Sequence, residues 1–390
     1  MFYHLSALAL IILMLGLAAL RRCSLFSPIV ISTLIWLVVF TAGLFLEDRF
    51  YPIKERAFIA WLSWFMVANL IFFLLYPYNP KNSCINNKIR KIPIDYSLPL
   101  LVLIIWLGYR IWVVGNSGPE DFFLNLRMSA LNPQSLSSIG SLVIRSYPLI
   151  FALFLFEHIY LHQENRHLRR LLWCYMLLYA MANMSKLSIL TPMLSWVIIQ
   201  GILGRLKMFK IFAVALIALT LMIFLHHIRA SPSSDLSLAD ILSIYIYSPI
   251  IALGYMDIDE SFPIGAYTLR FFYVIGNIVG IAPQPAGTIM PYVAVPELTN
   301  VYTVMQPFYY DFGLLGVLFE AMSYGLFFSF LYFLSVRKGG FWLALFSGYS
   351  IVLVMQFFAD VLISQLSGNI QLLICILAVF SISRKVSYAS

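Results

Sequence analysis

Residues Asn300–Tyr332 read NVYTVMQPFYYDFGLLGVLFEAMSYGLFFSFLY. The first part is polar and aromatic: Asn300, Tyr302, Thr303, Gln306, Tyr309, Tyr310 and Asp311. From Phe312 the run is almost wholly apolar and long enough to cross a bilayer, which takes about 20 residues. A hydrogen-bonding loop thus feeds a membrane helix, with Asp311 and Gly313 at the junction. Asp311 fits two roles, N-cap of that helix or general base for a hydroxyl. The triplet Asp311-Phe312-Gly313 also spells the magnesium motif of kinases, but no kinase glycine loop or HRD triplet accompanies it.

Outward from this stretch, the 390 residues are 62% hydrophobic and only 11% charged, a balance that excludes an ordinary soluble domain. Repeated apolar runs near membrane length predict an all-α polytopic integral membrane protein. A barrel needs short alternating strands, and none is seen. Cys23, Cys84, Cys174 and Cys375 are scattered, without disulfide or metal-ligand spacing. No metal and no cofactor are expected, and the charge of +8 reads as topology rather than nucleic-acid binding.

The expected spans are 6–20, 25–46, 57–76, 97–114, 141–161, a hairpin of two short helices within 171–203, then 211–225, 312–335, 341–360 and 369–382. Leu5–Leu20 has only His4 before it and no small-residue cleavage site after it, so it reads as an uncleaved span. The hairpin is broken at Asn183–Lys186, and its first half, 14 residues or so, would rise only about 21 Å. Domain boundaries follow: 1–225 with eight helices and a polar loop at 115–140, a large insertion at 226–311, and three helices in 312–390. Two apolar runs in the insertion, Ile241–Met256 and Phe262–Ala282, are read as interfacial helices; as crossings they would raise the count from 11 to 13.

Charge sorts by side. Arg21, Arg22, Lys81, Lys88, Arg90, Lys91, Arg166, Arg169, Arg170, Arg205, Lys207, Lys210, Arg337, Lys338, Arg384 and Lys385 make 16 of the 25 Lys and Arg, and the positive-inside rule puts them in the cytoplasm. The N-terminus, the loop 115–140 and the insertion then face outside. The remaining nine are Arg49, Lys54, Arg56, Arg110, Arg127, Arg145, Lys186, Arg229 and Arg270. Arg49, Lys54 and Arg56 read as solvated charges beside Glu47, Asp48 and Glu55, and Arg110 as a side chain snorkelling outward. Arg145 is left without a role.

Arg127, Lys186, Arg229 and Arg270 are candidates for the outer mouth of the bundle. There their forked or point charges match phosphate oxygens and would neutralise a pyrophosphate leaving group. Ion pairs with Glu120, Asp121, Asp257, Asp259 or Glu260 are the structural alternative. Asp235, Asp240, Glu260, Glu297, His226 and His227 are further candidate bases. The intramembrane acids Glu157, Glu320 and Asp360 are costly in a membrane and are expected to pair with Arg145 or Lys186. Tyr302, Tyr309 and Tyr310 suit sugar stacking or the interfacial aromatic belt.

The order Asn-Val-Tyr-Thr, Pro-Phe-Tyr, Asp-Phe-Gly over Asn300–Gly313 resembles the segment before a late transmembrane helix in Wzy-type O-antigen polymerases. Residues Met184–Ser188 resemble that family's Gly-Ser-Arg/Lys turn, with Asn183 and Met184 in place of glycine. The resemblance implies a GT-C-like membrane glycosyltransferase of the bacterial inner membrane, acting at the periplasmic face. It would join oligosaccharide repeat units carried on undecaprenyl pyrophosphate, with inversion and without metal. Essential arginines in two periplasmic loops are implied, which here are Arg127 and Arg270. Asp311 is then the catalytic carboxylate, and Lys186, Arg229, Asn300, Tyr302, Thr303, Tyr309 and Tyr310 bind substrate. Implied partners are the lipid-linked donor and acceptor glycans, membrane lipid, a chain-length regulator and a flippase. Two other readings stand beside it: an O-antigen ligase, and a non-enzymatic flippase of the lipid-linked unit. Loss of a polymerase leaves surface lipopolysaccharide with one repeat, whereas loss of either rival leaves none.

Overall fold

In lipid a backbone can satisfy its own polar groups only as helix or closed barrel, and this chain takes the helical solution. The computed structural model describes residues 1–77, 90–131, 145–160, 165–229, 244–257, 263–287 and 290–385. These are mostly helical, consistent with an all-α membrane protein. The helices are α1 (Phe2–Leu20), α2 (Pro28–Leu46), α3 (Glu55–Leu74), α4 (Ser97–Gly115), α5 (Phe122–Leu131), α6 (Tyr147–Tyr160), α7 (Arg166–Asn183) and α8 (Lys186–Ile202). There follow α9 (Met208–Arg229), α10 (Ser248–Tyr255), α11 (Arg270–Ile278), α12 (Gln306–Lys338), α13 (Gly340–Met355) and α14 (Leu366–Ile382). Two antiparallel ribbons pair β1 (Arg90–Lys91) with β4 (Arg384–Lys385), and β2 (Val293–Ala294) with β3 (Leu298–Thr299).

Among the described residues, α1, α2 with the 3-10 turn to Arg49, α3, α4 and α12 are long and apolar enough to cross a membrane. Five further apolar helices are shorter: α6, α8, Phe209–Leu221 of α9, α13 and α14.

Two compact units divide the chain. The first comprises Met1–Asn79, Leu236–Phe333 and Val352–Asn369. Its centre is aromatic: Trp36 and Phe40 of α2 meet Trp61, Trp64 and Phe65 of α3, all fully buried, with Phe40 and Trp61 centroids 4.5 Å apart. Gly43 keeps this face open, because a Cβ there would lie 2.5 Å from the Tyr247 ring and 2.7 Å from His4. The close approach lets His4 Nε2 reach the Tyr247 hydroxyl at 2.6 Å.

The second unit comprises Pro80–Asp235, Leu334–Ile351 and Ile370–Ser390. Here α4 packs on α5 and α7, and α6, α7 and α8 pack on one another. The expected break between α7 and α8 is present. Met184 takes a left-handed conformation at φ 48, and Ser185 Oγ accepts from the Ser188 amide at 3.3 Å. That conformation is the one glycine adopts most cheaply; Met184 adopts it with its side chain fully buried. The first half of this hairpin is longer than expected, because its helix runs back through the basic residues to Arg166.

Several expectations change. Within the described residues of the insertion, α10 and α11 have 8 and 9 residues and rise only about 12–14 Å each, while 241–243 and 258–262 lie outside the described residues. The helix α10 does not lie at an interface: Ser248 to Gly254 are all buried, and the helix packs on α3. Only α11 keeps the interfacial reading, with Phe272, Ile275 and Ile278 exposed. Arg56 is not a solvated charge. Its Nε donates to Gly254 O and its Nη2 to Met256 O, both at 2.7 Å, holding the C-terminal end of α10. Lys54 lies 4.0 Å over the Tyr255 ring. Arg110 does not snorkel; it is 7% exposed, and among the described residues none of its guanidinium nitrogens has a hydrogen-bond partner.

The helix after the polar loop begins at Gln306, six residues before Phe312, with Pro307 in its first turn, where a missing N–H costs nothing. Gly313 then interrupts it at φ 61, ψ −147, a region open essentially to glycine alone. Asp311 therefore lies in the short helical segment before the kink, two residues from Gly313, and not at the N-cap of the long apolar helix. Gly313→Ala should lower stability by about 1–3 kcal/mol, read as resistance of the purified protein to denaturing detergent. Unchanged resistance would show that α12 runs straight through Gly313.

Candidate functional site

The polar loop and the α11 lead-in fold together within the first unit around a cleft of about 360 Å³. Three segments build it. The turn 264–269 and the start of α11 supply Tyr267 and Arg270; the loop into α12 supplies Asn300, Tyr302, Thr303 and Gln306; the segment after α13 supplies Phe358, Asp360 and Gln365.

Each wall has an identifiable support. Asp311 reaches back 43 residues, and its carboxylate accepts from the Thr268 amide at 2.7 Å and the Tyr267 amide at 3.5 Å. A carboxylate on free amides ahead of a helix is stabilising, so Asp311 fixes the turn that delivers Arg270. Tyr310 packs on Tyr267 with centroids 4.4 Å apart. The loop 300–305 is tied down by Val304 N to Gln356 O at 2.8 Å and by the Tyr302 hydroxyl to Pro291 O at 2.8 Å. Burial, then Tyr310 and Asp257, push the Tyr302 phenol up to about 12, so it stays a donor. Asp360 is the knot of the third wall. It accepts from the amides of Leu362 at 2.9 Å, Ile363 at 3.1 Å and Ser364 at 2.7 Å, and from the Tyr324 hydroxyl.

The groups left over face the cleft. Arg270 spends only Nε, on Ala286 O at 2.8 Å, and its terminal nitrogens have no partner among the described residues. Thr303 Oγ1 is buried, with no hydrogen-bond partner among the described residues. Asn300 and Gln306 add two carboxamides, and Tyr267, Tyr302 and Phe358 add aromatic faces. A guanidinium fork, amides, a hydroxyl and rings together suit a hydroxyl-rich ligand carrying an anion.

Four expected site residues line the cleft: Arg270, Asn300, Tyr302 and Thr303. Tyr310 lines a smaller adjoining cleft of about 90 Å³ with Tyr302, Gln306 and Asp257. Tyr309 and Asp311 line neither. Arg127, Lys186 and Arg229 belong to the second unit. Arg127 is half-buried on α5 and, among the described residues, has no ion pair with Glu120, Asp121 or Asp257. Lys186 opens α8; the side chain of Arg229, at the end of α9, lies outside the described residues, as do Asp235, Asp240, Asp259, Glu260 and the side chains of His226 and His227. Glu297 sits exposed between β2 and β3.

The expected pairing of buried acids is corrected. Glu157 is held by the Tyr96 hydroxyl at 2.9 Å and Asn165 at 3.1 Å and interacts with the charge of Arg169, Asp360 is held by nearby amides, and Glu320 has no hydrogen bond on either oxygen among the described residues. Residues missed in the sequence are Tyr267, Gln306, Asp360 and Gln365. Gln306 stood in the quoted stretch beside Pro307, and the helix-start signal of that proline was the available clue.

No protein-family model, curated protein or solved structure matches this chain.

If Asp311 positions the turn, Asp311→Asn, which keeps an acceptor oxygen, retains most function. Asp311→Ala should cost about 0.5–2 kcal/mol of stability. Loss of all activity in a folded Asp311→Asn protein would instead make Asp311 the base.

Proposed function

We propose that the protein is a membrane glycosyltransferase that joins lipid-pyrophosphate-linked oligosaccharide repeat units, an O-antigen polymerase of the bacterial inner membrane with its site on the periplasmic face. The observation that supports this reading is the cleft itself. Arg270, Asn300, Tyr302 and Thr303, picked out by sequence, share it, and Arg270 keeps its terminal nitrogens for a ligand. The exposed apolar residues of α11 begin beside Arg270 and suit a lipid-borne donor.

In the proposed reaction an acceptor hydroxyl attacks the anomeric carbon of the donor. The new C–O bond forms as the bond to the pyrophosphate breaks, and the hydroxyl proton passes to a base. Charge develops on the departing pyrophosphate, and the Arg270 fork meets it as it grows. Tyr267, Tyr302 and the carboxamides of Asn300 and Gln306 hold sugar rings and hydroxyls. Arg127, half-buried and without an ion pair among the described residues, remains a second anion-binding candidate on the same reading.

Losing such a donor typically lowers rate by about 10²–10³. In cells whose only copy is Arg270→Ala, long polymer should disappear from the lipopolysaccharide ladder while the single-repeat band and protein abundance persist. Arg270→Lys should restore short chains only, because an ammonium lacks the fork. Arg56 is not a neutral control, given its hold on α10; exposed Arg170 is, and Arg170→Ala should make a normal ladder. A full ladder from Arg270→Ala at normal abundance would reduce Arg270 to an anchor for Ala286. Complete absence of the single-repeat band on loss of the protein would favour the ligase or flippase.

A further inference from the structure

The proposed transfer needs a group to take the acceptor proton. Among the described residues two carboxylates line the pair of adjoining clefts, Asp360 the larger and Asp257 the smaller. Asp360 already accepts from five donors: the amides of Leu362, Ile363 and Ser364 and the hydroxyls of Ser364 and Tyr324. A carboxylate has about four acceptor sites, so none is left for an incoming proton. Asp311 lines neither cleft and is held by the amides of Tyr267 and Thr268. Asp257 is exposed, and among the described residues no hydrogen bond or ion pair engages it.

The backbone that carries Asp257 is fixed. The preceding carbonyl, of Met256, accepts from Arg56 Nη2 at 2.7 Å, and Gly254 O accepts from Arg56 Nε at 2.7 Å. Met256 is buried, and its amide donates to Ala252 O at 2.9 Å. Behind it α10 is buried from Ser248 to Gly254. A free carboxylate on a locked support is the arrangement a positioned base requires.

The smaller cleft, about 90 Å³, joins Asp257 to the glycan cleft, because Tyr302 and Gln306 line both. Burial, then Tyr310, then Asp257 hold the Tyr302 phenol up at about 12, so the Asp257 charge reaches that shared wall. Arg270 lines only the larger cleft and Asp257 only the smaller. An inverting displacement brings the acceptor from the face opposite the leaving group. A guanidinium in one cleft and a free carboxylate in the next suit that division.

We propose that Asp257 is the general base of the transfer, an inference that rests on the glycosyltransferase reading. The acceptor hydroxyl enters the smaller cleft and attacks the anomeric carbon. Its oxygen forms the new C–O bond and its proton passes to an Asp257 oxygen. The old C–O bond breaks with its electron pair on the pyrophosphate, which Arg270 meets. Asp257 then gives the proton to water. Arg56 is a positioning residue for this base.

The test uses the purified full chain in nanodiscs, with the lipid-pyrophosphate-linked repeat unit extracted from cells lacking the protein. The readouts are the initial rate of two-repeat product and the donor retained in native mass spectrometry. A general base contributes about 10²–10⁴-fold, so Asp257→Asn should slow the rate by about that factor while retaining donor as the wild type does. Asp257→Ala should be as slow, and added formate should restore part of the rate, because a free carboxylate fits where the side chain was. Asp259→Asn and Glu260→Gln should keep most of the rate. A wild-type rate in Asp257→Asn would overturn the base assignment and leave the transferase reading standing. A slow Asp257→Ala that formate does not rescue would make Asp257 structural and overturn the assignment too. An equal loss in Asp259→Asn or Glu260→Gln would move the base off Asp257. No two-repeat product from wild-type protein that retains donor would overturn the transferase reading itself, and the base with it.

Discussion

Every helix ends in carbonyls that have no partner within the helix, and in a hydrocarbon surrounding each bare carbonyl costs several kcal/mol. This chain meets that constraint repeatedly with arginine. Arg21 donates to Phe73 O and Tyr76 O at the end of α3. Arg90 donates to Phe380 O near the end of α14, and Arg205 to Ile159 O near the end of α6, each at 3.2 Å. Arg56 does the same for α10. A cation at a helix C-terminus also complements the helix dipole. Arg21, Arg90 and Arg205, which the charge pattern assigns to the cytoplasm, are therefore structural as well as topological. Arg110 is the exception: it is buried in α4 with no hydrogen-bond partner among the described residues, and the Tyr179 phenol of α7 lies near enough to interact with its charge.

Arg270 also donates to a backbone carbonyl, but to one in a loop and not at a helix end. One nitrogen closes on Ala286 O, which fixes the side chain, and the rest of the fork is left for the cleft. Its position depends on Asp311, which holds the preceding turn, and on Gly313, which lets the helix break so that Asp311 can face that turn. Asp360 ties the opposite wall through three amides and the Tyr324 hydroxyl. Two carboxylates that sequence reading treats as a base and an ion-pair partner are spent on backbone amides. On the proposed reading, anion recognition falls to the guanidinium.

The features legible in the sequence were those carried by periodicity or by neighbours in the chain. Apolar runs gave most helices to within a few residues, and the polar interruption at Asn183–Lys186 gave the hairpin break. Polar and aromatic residues crowded into 300–306, with Arg270 alone in an apolar run, gave four residues of the cleft. What escaped depends on partners far along the chain. Arg56 meets carbonyls 198 and 200 residues away, and Asp311 meets amides more than 40 residues away. Beside Glu47, Asp48 and Glu55, Arg56 looks solvated, and no local pattern says otherwise. The same limit applies to α10, whose apolar run reads equally as buried or interfacial until α3 is seen beneath it.

The direct test is whether the cleft of the first unit holds the glycan. A photo-crosslinking amino acid at Gln365, exposed on the cleft wall, should capture lipid-pyrophosphate-linked oligosaccharide in native membranes. The same group at His167, in a cleft of the second unit, should capture no sugar. Sugar captured at His167 and none at Gln365 would contradict the placement of the transferase site around Arg270.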